Sequence, residues 1–266
     1  MIYFVATPIG NLKDITLRAL EILRGADIIF CEDTRHSVKL LNAYDIKKPL
    51  QACHKFNERA AAEKILAAAR EGKSVAVISD AGMPVISDPG NIVCSALRDA
   101  GEKFTVIPGA NAALSALVLS AMPADRFAFI GFLPDKAGEK RKLLERYANL
   151  DMTTIFHVAP QDVDRDICAV YEVFGERRAC AVREITKMHE ECVPFTLSKG
   201  LAGEKRGEYV LIVEGAKPYN ALCGLSAEEH LRQYIAGGMD KKDAVKQVAK
   251  DRGVAKSEIY KIALKL

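Results

Sequence analysis

Ser74-Val75-Ala76-Val77-Ile78 is a short apolar, β-branched run that empties directly into Ser-Asp-Ala-Gly-Met-Pro-Val-Ile-Ser-Asp-Pro-Gly, residues 79–90. A run of this length and character predicts a strand buried in a parallel sheet. Leaving the sheet through Asp-Ala-Gly-x-Pro places the chain at a strand's carboxyl end, the edge where open α/β folds hold ligands. Gly82 permits close backbone approach or a positive φ, and Pro84 stiffens the exit. Asp88-Pro89-Gly90 predicts a helix N-cap with proline at the first helical position. A carboxylate and bare amides thus converge at one lip, which predicts a small-ligand site. The competing reading is a tight turn that Asp80 merely caps.

The same strand–loop–helix grammar recurs through the first half. Strands are predicted at Ile2–Ala6, Asp27–Cys31, Val75–Ile78 and Phe104–Ile107. Helices are predicted over Asp14–Arg24, from Thr34, and over Asn57–Glu71, Ile92–Ala100 and Ala110–Ser120. Alternation with short, punctuated loops predicts a wound parallel sheet. Beyond Met122-Pro123-Ala124-Asp125 there are fewer helices per strand. Strands at Phe127–Ile130, Thr153–Val158, Arg178–Val182, Cys192–Leu197 and Tyr209–Val213 accompany helices at Glu139–Tyr147 and Val163–Phe174, which predicts a mixed sheet. After Leu225, a Ser226/Glu229 capping box, an Asp240 helix start and Gly253 predict three short helices, a helix-turn-helix in outline. The expected division is 1–121, an N-terminal α/β domain; 122–222, a mixed α/β domain; and 223–266, a basic helical tail.

Composition excludes several classes. The chain has 266 residues, 49% of them hydrophobic and 27% charged, as in ordinary globular proteins. No run approaches the ~18 apolar residues of a membrane span. Met1–Ala6 lacks the basic flank of a signal peptide, so reduced thiols in the cytoplasm are expected for the seven cysteines. None of these forms a C-x-x-C pair, the five histidines are scattered, and no metal is expected. A net charge of +3 names no partner by itself. Gly72-Lys73-Ser74 lacks the earlier glycine of a phosphate loop, because Ala67 stands there, and it precedes a strand instead of following one. Neither G-x-G-x-x-G nor G-x-S-x-G occurs.

Four loops remain at predicted strand ends: Thr7–Asn11, Glu32–Arg35, the Asp80 loop, and Pro108–Asn111. All are expected at one carboxyl edge. Glu32, Asp33 and Arg35 are three charged groups in four residues. Acidic residues also suit a helix N-terminus, so helix-start chemistry is the plainer alternative. Two basic stretches stand out. Lys136, Lys140, Arg141, Lys142 and Arg146 share one predicted helix, and Lys241 to Lys265 holds eight basic against three acidic residues. Each reads either as a solvated face or as a phosphate contact.

The strings TPIGNLKDITLRALE (7–21), EDTR (32–35), SDAGMPVISDPG (79–90), PGANAALSAL (108–117) and GFLP (131–134) resemble the tetrapyrrole methylase superfamily. REITK (183–187) with Glu190-Glu191, and GEYVLIVEG (207–215), resemble a branch of it that methylates ribosomal RNA. The resemblance implies a two-domain α/β fold, a parallel wound sheet plus a mixed-sheet domain, with a small helical appendage. It also implies S-adenosylmethionine as cofactor. Pro8, Gly10, Asp80, Ala81, Gly82, Pro84, Asp88, Ala110, Ala159 and Pro160 are the implied cofactor-binding residues. The implied reaction is methylation of a cytidine ribose 2′-hydroxyl in 16S ribosomal RNA of the small subunit, by a homodimer. Glu32, Asp33 and Arg35 are then the catalytic candidates: a proton acceptor is needed, and a guanidinium holds phosphate. Lys140, Arg141, Lys142, Lys241, Lys242 and Lys256 are the RNA-binding candidates. At His157–Asp162 the chain departs from the Tyr-Glu-Ser-Pro-x-Arg pattern, keeping only Pro160. Ala110 and Ala121 stand where the branch has a proline and a glycine. A tetrapyrrole C-methyltransferase and a non-catalytic ribosome-binding module are the alternative functions.

Overall fold

A computed structural model of the chain describes residues 1–216 and 221–266. Strands β1 (Ile2–Val5), β2 (Ile28–Cys31), β3 (Leu50–Ala52), β4 (Val75–Ile78) and β5 (Phe104–Ile107) form one sheet. Its order is β3-β2-β4-β1-β5, and every pairing is parallel. Alternate residues face opposite ways. Phe4 and Val77 enter a core with α3 (Glu58–Arg70) and α4 (Asn91–Asp99). Val5, Ala76 and Ile78 face the other side, with Ala19 and Leu23 of α1 (Leu17–Gly25) and Leu41 of α2 (Thr34–Ala43). With both faces covered, near-continuous apolar strands are what such a sheet needs.

The register sets up the site. Val5 is level with both Ile78 and Ile107, and Cys31 is level with Ile78. Four strands therefore end at one height, and the four polar loops leave from a common edge.

The second sheet has the order β6-β7-β10-β8-β9. Its strands are β6 (Phe127–Phe132), β7 (Thr153–Val158), β8 (Arg178–Arg183), β9 (Glu191–Thr196) and β10 (Tyr209–Val213). Only β6–β7 is parallel, so the sheet is mixed, as expected. One face packs on α6 (Ala137–Tyr147) and α7 (Val163–Phe174). The other receives α5 (Ala112–Ser120) through Ala113, Ala116 and Leu117. Both sheets lie in one compact unit, residues 1–148 and 152–214.

Residues 149–151 and 215–266 make the second unit. There α8 (Ala227–Ala236), α9 (Lys241–Arg252) and α10 (Lys256–Ala263) bury Leu231, Val245, Val248 and Ile259 in a small core. The Ser226/Glu229 capping box is present, Asp240 caps α9, and Gly253 ends it in the left-handed conformation.

Two expectations are corrected, and one strand was not expected. The edge strand β3 has no sequence signal, because three half-exposed residues behind Lys47-Lys48-Pro49 present no apolar run. Asp14 does not open α1. It ends a short 3-10 turn, and Thr16 caps the helix by accepting from the Ala19 amide at 3.0 Å. Asp88 does not cap α4. Glu58 reaches across from α3, and its Oε1 accepts from the amides of Gly90 at 2.8 Å and Ile92 at 2.6 Å. A buried carboxylate on several amides is a stronger cap than a local turn. It leaves Asp88 free to face elsewhere.

Candidate functional site

The loops after β1 and β4 are stitched together. Thr7 and Gly82 exchange backbone hydrogen bonds of 2.9 and 3.1 Å, and the Thr7 hydroxyl donates to the Ser79 carbonyl. Gly82 has a φ of +79°, and a Cβ there would meet Ile9 Cγ2 at 3.2 Å, so no side chain fits without strain. Val85 (φ +78°) and Ser87 (φ +66°) also hold left-handed backbone. For a β-branched residue this is a genuine outlier, of the kind that collects at ligand loops.

Above these loops lies a cavity of about 380 Å³ between the two sheets. Small-molecule sites occupy about 300–1,000 Å³. The first sheet contributes Ile9, Ala81, Gly82, Met83, Ser87, Asp88 and Asn111. The second contributes Phe132, His157, Val158, Ala159, Pro160, Glu208 and Tyr209. Most of this wall is apolar, with a few polar groups at fixed points.

A carboxylate cluster adjoins the cavity. Burial and the neighbouring Asp80 push the Asp88 carboxyl up to about 6, against the pull of a Ser79 hydrogen bond. Burial, then Asp88, Asp80 and Asp33, raise Glu32. Asp33 goes the other way, held down to about 2 by its hydrogen bonds with Arg35. It is also the N-cap of α2, and its own amide donates to Asp80 at 3.1 Å. Arg35 grips Asp33 at 2.6 Å while 89% of its side chain stays exposed. Burial lowers His157, which sits between Phe129 and Phe132 at ring distances of 5.2 and 5.3 Å.

Of the cofactor candidates, Ala81, Gly82, Asp88, Ala159 and Pro160 line the cavity, whereas Pro8, Gly10, Asp80, Pro84 and Ala110 do not. Gly10 instead abuts the β8–β9 hairpin, where a Cβ would meet Lys187 Cγ at 2.6 Å. Glu32, Asp33 and Arg35 stand beside the cavity and are not part of its lining. Phe132, His157 and Glu208 do line it but were not expected. Phe132 lies in the GFLP string, a signal that marks the position without its role.

Lys140 leaves the RNA-binding set. It is 3% exposed and pairs with the buried Asp166, an orientation set by α6 packing on α7. Arg141 pairs with Glu145 at 2.9 Å on the same helix, and Lys142 is exposed. Lys241, Lys242 and Lys256 are exposed, and Lys242, Lys246 and Lys256 together hold Asp243 below the usual carboxylate range. Among the described residues no group of three His, Cys, Asp or Glu could hold a metal, and no helix is long and apolar enough to cross a membrane.

Residues 1–199 match the Tetrapyrrole (Corrin/Porphyrin) Methylases family. Ribosomal RNA small subunit methyltransferase I of Bacillus subtilis (strain 168) is 40% identical, over 98% of this chain and 92% of that protein. The protein of the same name from Mesorhizobium japonicum is 41% identical, over 100% of this chain and 92% of its own length. Among solved structures, the methyltransferase CobJ aligns with a TM-score of 0.62 at 19% identity, covering 81% of this chain and 94% of that one. Uroporphyrin-III-C-methyltransferase from Thermus thermophilus aligns at 0.57 and 23% identity, covering 80% and 93%. At such identities the structures speak to the fold alone.

Proposed function

The chain belongs to the tetrapyrrole methylase family, within the ribosomal RNA small subunit methyltransferase I group, and from that premise we propose that it methylates a cytidine ribose 2′-hydroxyl in 16S ribosomal RNA, using S-adenosylmethionine. The observation that supports this most is the cavity between the sheets, with its apolar wall, glycine-lined floor and single partly buried carboxylate.

That donor set fits the cofactor. An adenosine needs apolar walls and backbone groups, which Ile9, Ala81, Gly82, Val158 and Ala159 provide. A cationic amino acid end needs a carboxylate; of the two on the wall, Glu208 is exposed and paired with Lys187, which points to the partly buried Asp88. Bound there, S-adenosylmethionine supplies a methyl group on a positively charged sulfur. The protein's own residues do the rest by position and proton transfer. Glu32, made more basic by burial and by three neighbouring carboxylates, is the proposed acceptor of the ribose proton. Asp33, tied to Arg35 and to the helix start, orients the outward guanidinium toward an RNA phosphate. Asp80 fixes the two loops through the Asp33 amide.

The division into 1–121, 122–222 and 223–266 is kept as a proposal, with the tail and the exposed Arg141 and Lys142 contacting RNA backbone. Changing Lys241, Lys242 and Lys256 to glutamate then reduces the salt slope of RNA binding, and an unchanged slope removes those contacts from the account. A ribosomal substrate places the protein in the cytoplasm. A homodimer is proposed on the outer side of α5, where Leu114 and Val118 are 48% and 78% exposed.

The reaction is tested by incubating the protein with methyl-labelled S-adenosylmethionine and small subunits from a strain lacking the enzyme, then digesting the RNA to nucleosides. Label is expected on 2′-O-methylcytidine. Label on a base, or none, rejects the assignment.

A further inference from the structure

The second sheet carries a pair of thiols outside the cavity. In the antiparallel β8–β9 ladder Cys180 is opposite Pro194 and Val182 is opposite Cys192, so the two cysteines are diagonal neighbours on one face. Their sulfurs are 3.2 Å apart. A disulfide spans about 2.05 Å, so an approach of roughly 1.2 Å would join them.

The two thiols are unequal. Cys180 is 1% exposed, in the core beneath α5, whereas Cys192 is exposed and donates to the Leu119 carbonyl at 3.4 Å. An oxidant in solution therefore meets Cys192 first, with Cys180 already in contact beneath it. Cys168 is also exposed, but its sulfur contacts the Glu172 carboxylate and no second thiol.

What lies between the two cysteines gives the pair a consequence. Residues 184–190 form the turn of the hairpin, with Glu184 and Thr186 in left-handed backbone at φ +49° and +67°. Ile185 of this turn lines the cavity, and Lys187 packs where a Cβ on Gly10 would sit.

We propose that Cys180 and Cys192 are a hydroperoxide-sensitive dithiol, closing to a disulfide that staples the foot of the hairpin bearing Ile185 and Lys187. The Cys192 thiolate attacks a peroxide oxygen and the O–O bond breaks. The leaving hydroxide takes up a proton as water, and Cys192 becomes a sulfenic acid. The Cys180 sulfur then attacks that sulfur, the S–O bond breaks, and the departing hydroxide leaves as water with the Cys180 proton. In balance, two thiols lose two electrons, one hydrogen peroxide gains them, and two waters form.

The test uses the full chain. Protein is treated with hydrogen peroxide, its remaining thiols are alkylated, and it is digested with trypsin. Arg183 and Lys187 lie between the cysteines, so trypsin parts them unless the sulfurs are bonded. The expected product is the Cys180 peptide joined to the Cys192 peptide, lighter by two hydrogens and separated by dithiothreitol. Cys168 is expected only as alkylated or oxygenated forms. Cys192→Ser, at an exposed position, is expected to abolish the joined peptide. Recovery of both cysteines in separate peptides, at peroxide levels that oxygenate Cys168, overturns the proposal. Cross-linking of Cys192 to a second molecule overturns it as well.

Discussion

Replacing Asp88 by asparagine tests whether the cavity carboxylate is kept for a ligand at the fold's expense. The folded protein holds this group at about 6 against an ordinary 3.8, a rise of roughly two units. At 1.36 kcal/mol per unit that is at most about 3 kcal/mol. The group is only partly buried, so solvent screening reduces the figure to about 1–2 kcal/mol. The sign follows from which state binds the proton more tightly. Folding favours the neutral acid, so the wild type has its full stability below about pH 4, loses it as the pH climbs to about 6, and loses no more above that. Asp88→Asn, which cannot ionise, is expected to be more stable by about 1–2 kcal/mol near pH 7.5 and unchanged near pH 4. Urea unfolding at both pH values reads the difference as a shift in midpoint. The same change removes a charge-assisted contact to the cofactor, worth about 1.5–3 kcal/mol, so calorimetry is expected to find S-adenosylmethionine bound roughly ten- to a hundredfold more weakly. Equal stability of variant and wild type at pH 7.5, or a gain persisting at pH 4, would refute the electrostatic reasoning. Unchanged cofactor affinity would refute the assignment of Asp88 to the ligand.

Glu32→Gln is expected to slow methyl transfer by about 10²–10⁴-fold with cofactor binding retained. Asp33→Ala should mainly cost about 1 kcal/mol of helix cap. The wild-type rate should rise with pH through a step above the ordinary carboxylate range, because burial and like charges raise the base; comparable rate losses for the two variants contradict the division of roles. Ala121 ends α5 at φ +52°, so Ala121→Gly should relieve left-handed strain and raise the melting stability by roughly 0.5 kcal/mol. A less stable variant would show the strain to be absent. Val118→Asp places a charge on the exposed side of α5 and is expected to sediment as a monomer; an intact dimer moves the interface elsewhere.

Much of this architecture was legible because the strands are buried on both faces. Val75–Ile78 has no solvent side to dilute its apolar character; Phe104–Ile107 is the sheet's edge and exposes Val106, yet its short apolar run carries the same signal, and the predicted limits of both coincide with the observed ones. Ser226 and Asp240 announce their helices by short-range chemistry that needs no tertiary partner. Two of the misses involve distant groups. Nothing near residue 88 in the sequence reveals that Glu58 takes over the α4 amides. Lys140 reads as one more surface lysine until Asp166 closes over it. The site divides the same way. Loop residues after β4 could be named from turn chemistry, but His157 entered only as a departure from a pattern, and its place between two phenyl rings depends on β6 lying beside β7. Ala159 and Pro160 line the cavity although their neighbours differ from the family pattern, since backbone contacts ask little of side chains.

The most direct measurement is a crystal structure of the protein with S-adenosylhomocysteine. The ligand is expected between the two sheets, its amino acid end against Asp88 and its nucleoside between Gly82 and Ala159. Density for the ligand at any other place, or an empty cavity at saturating concentration, would contradict this placement.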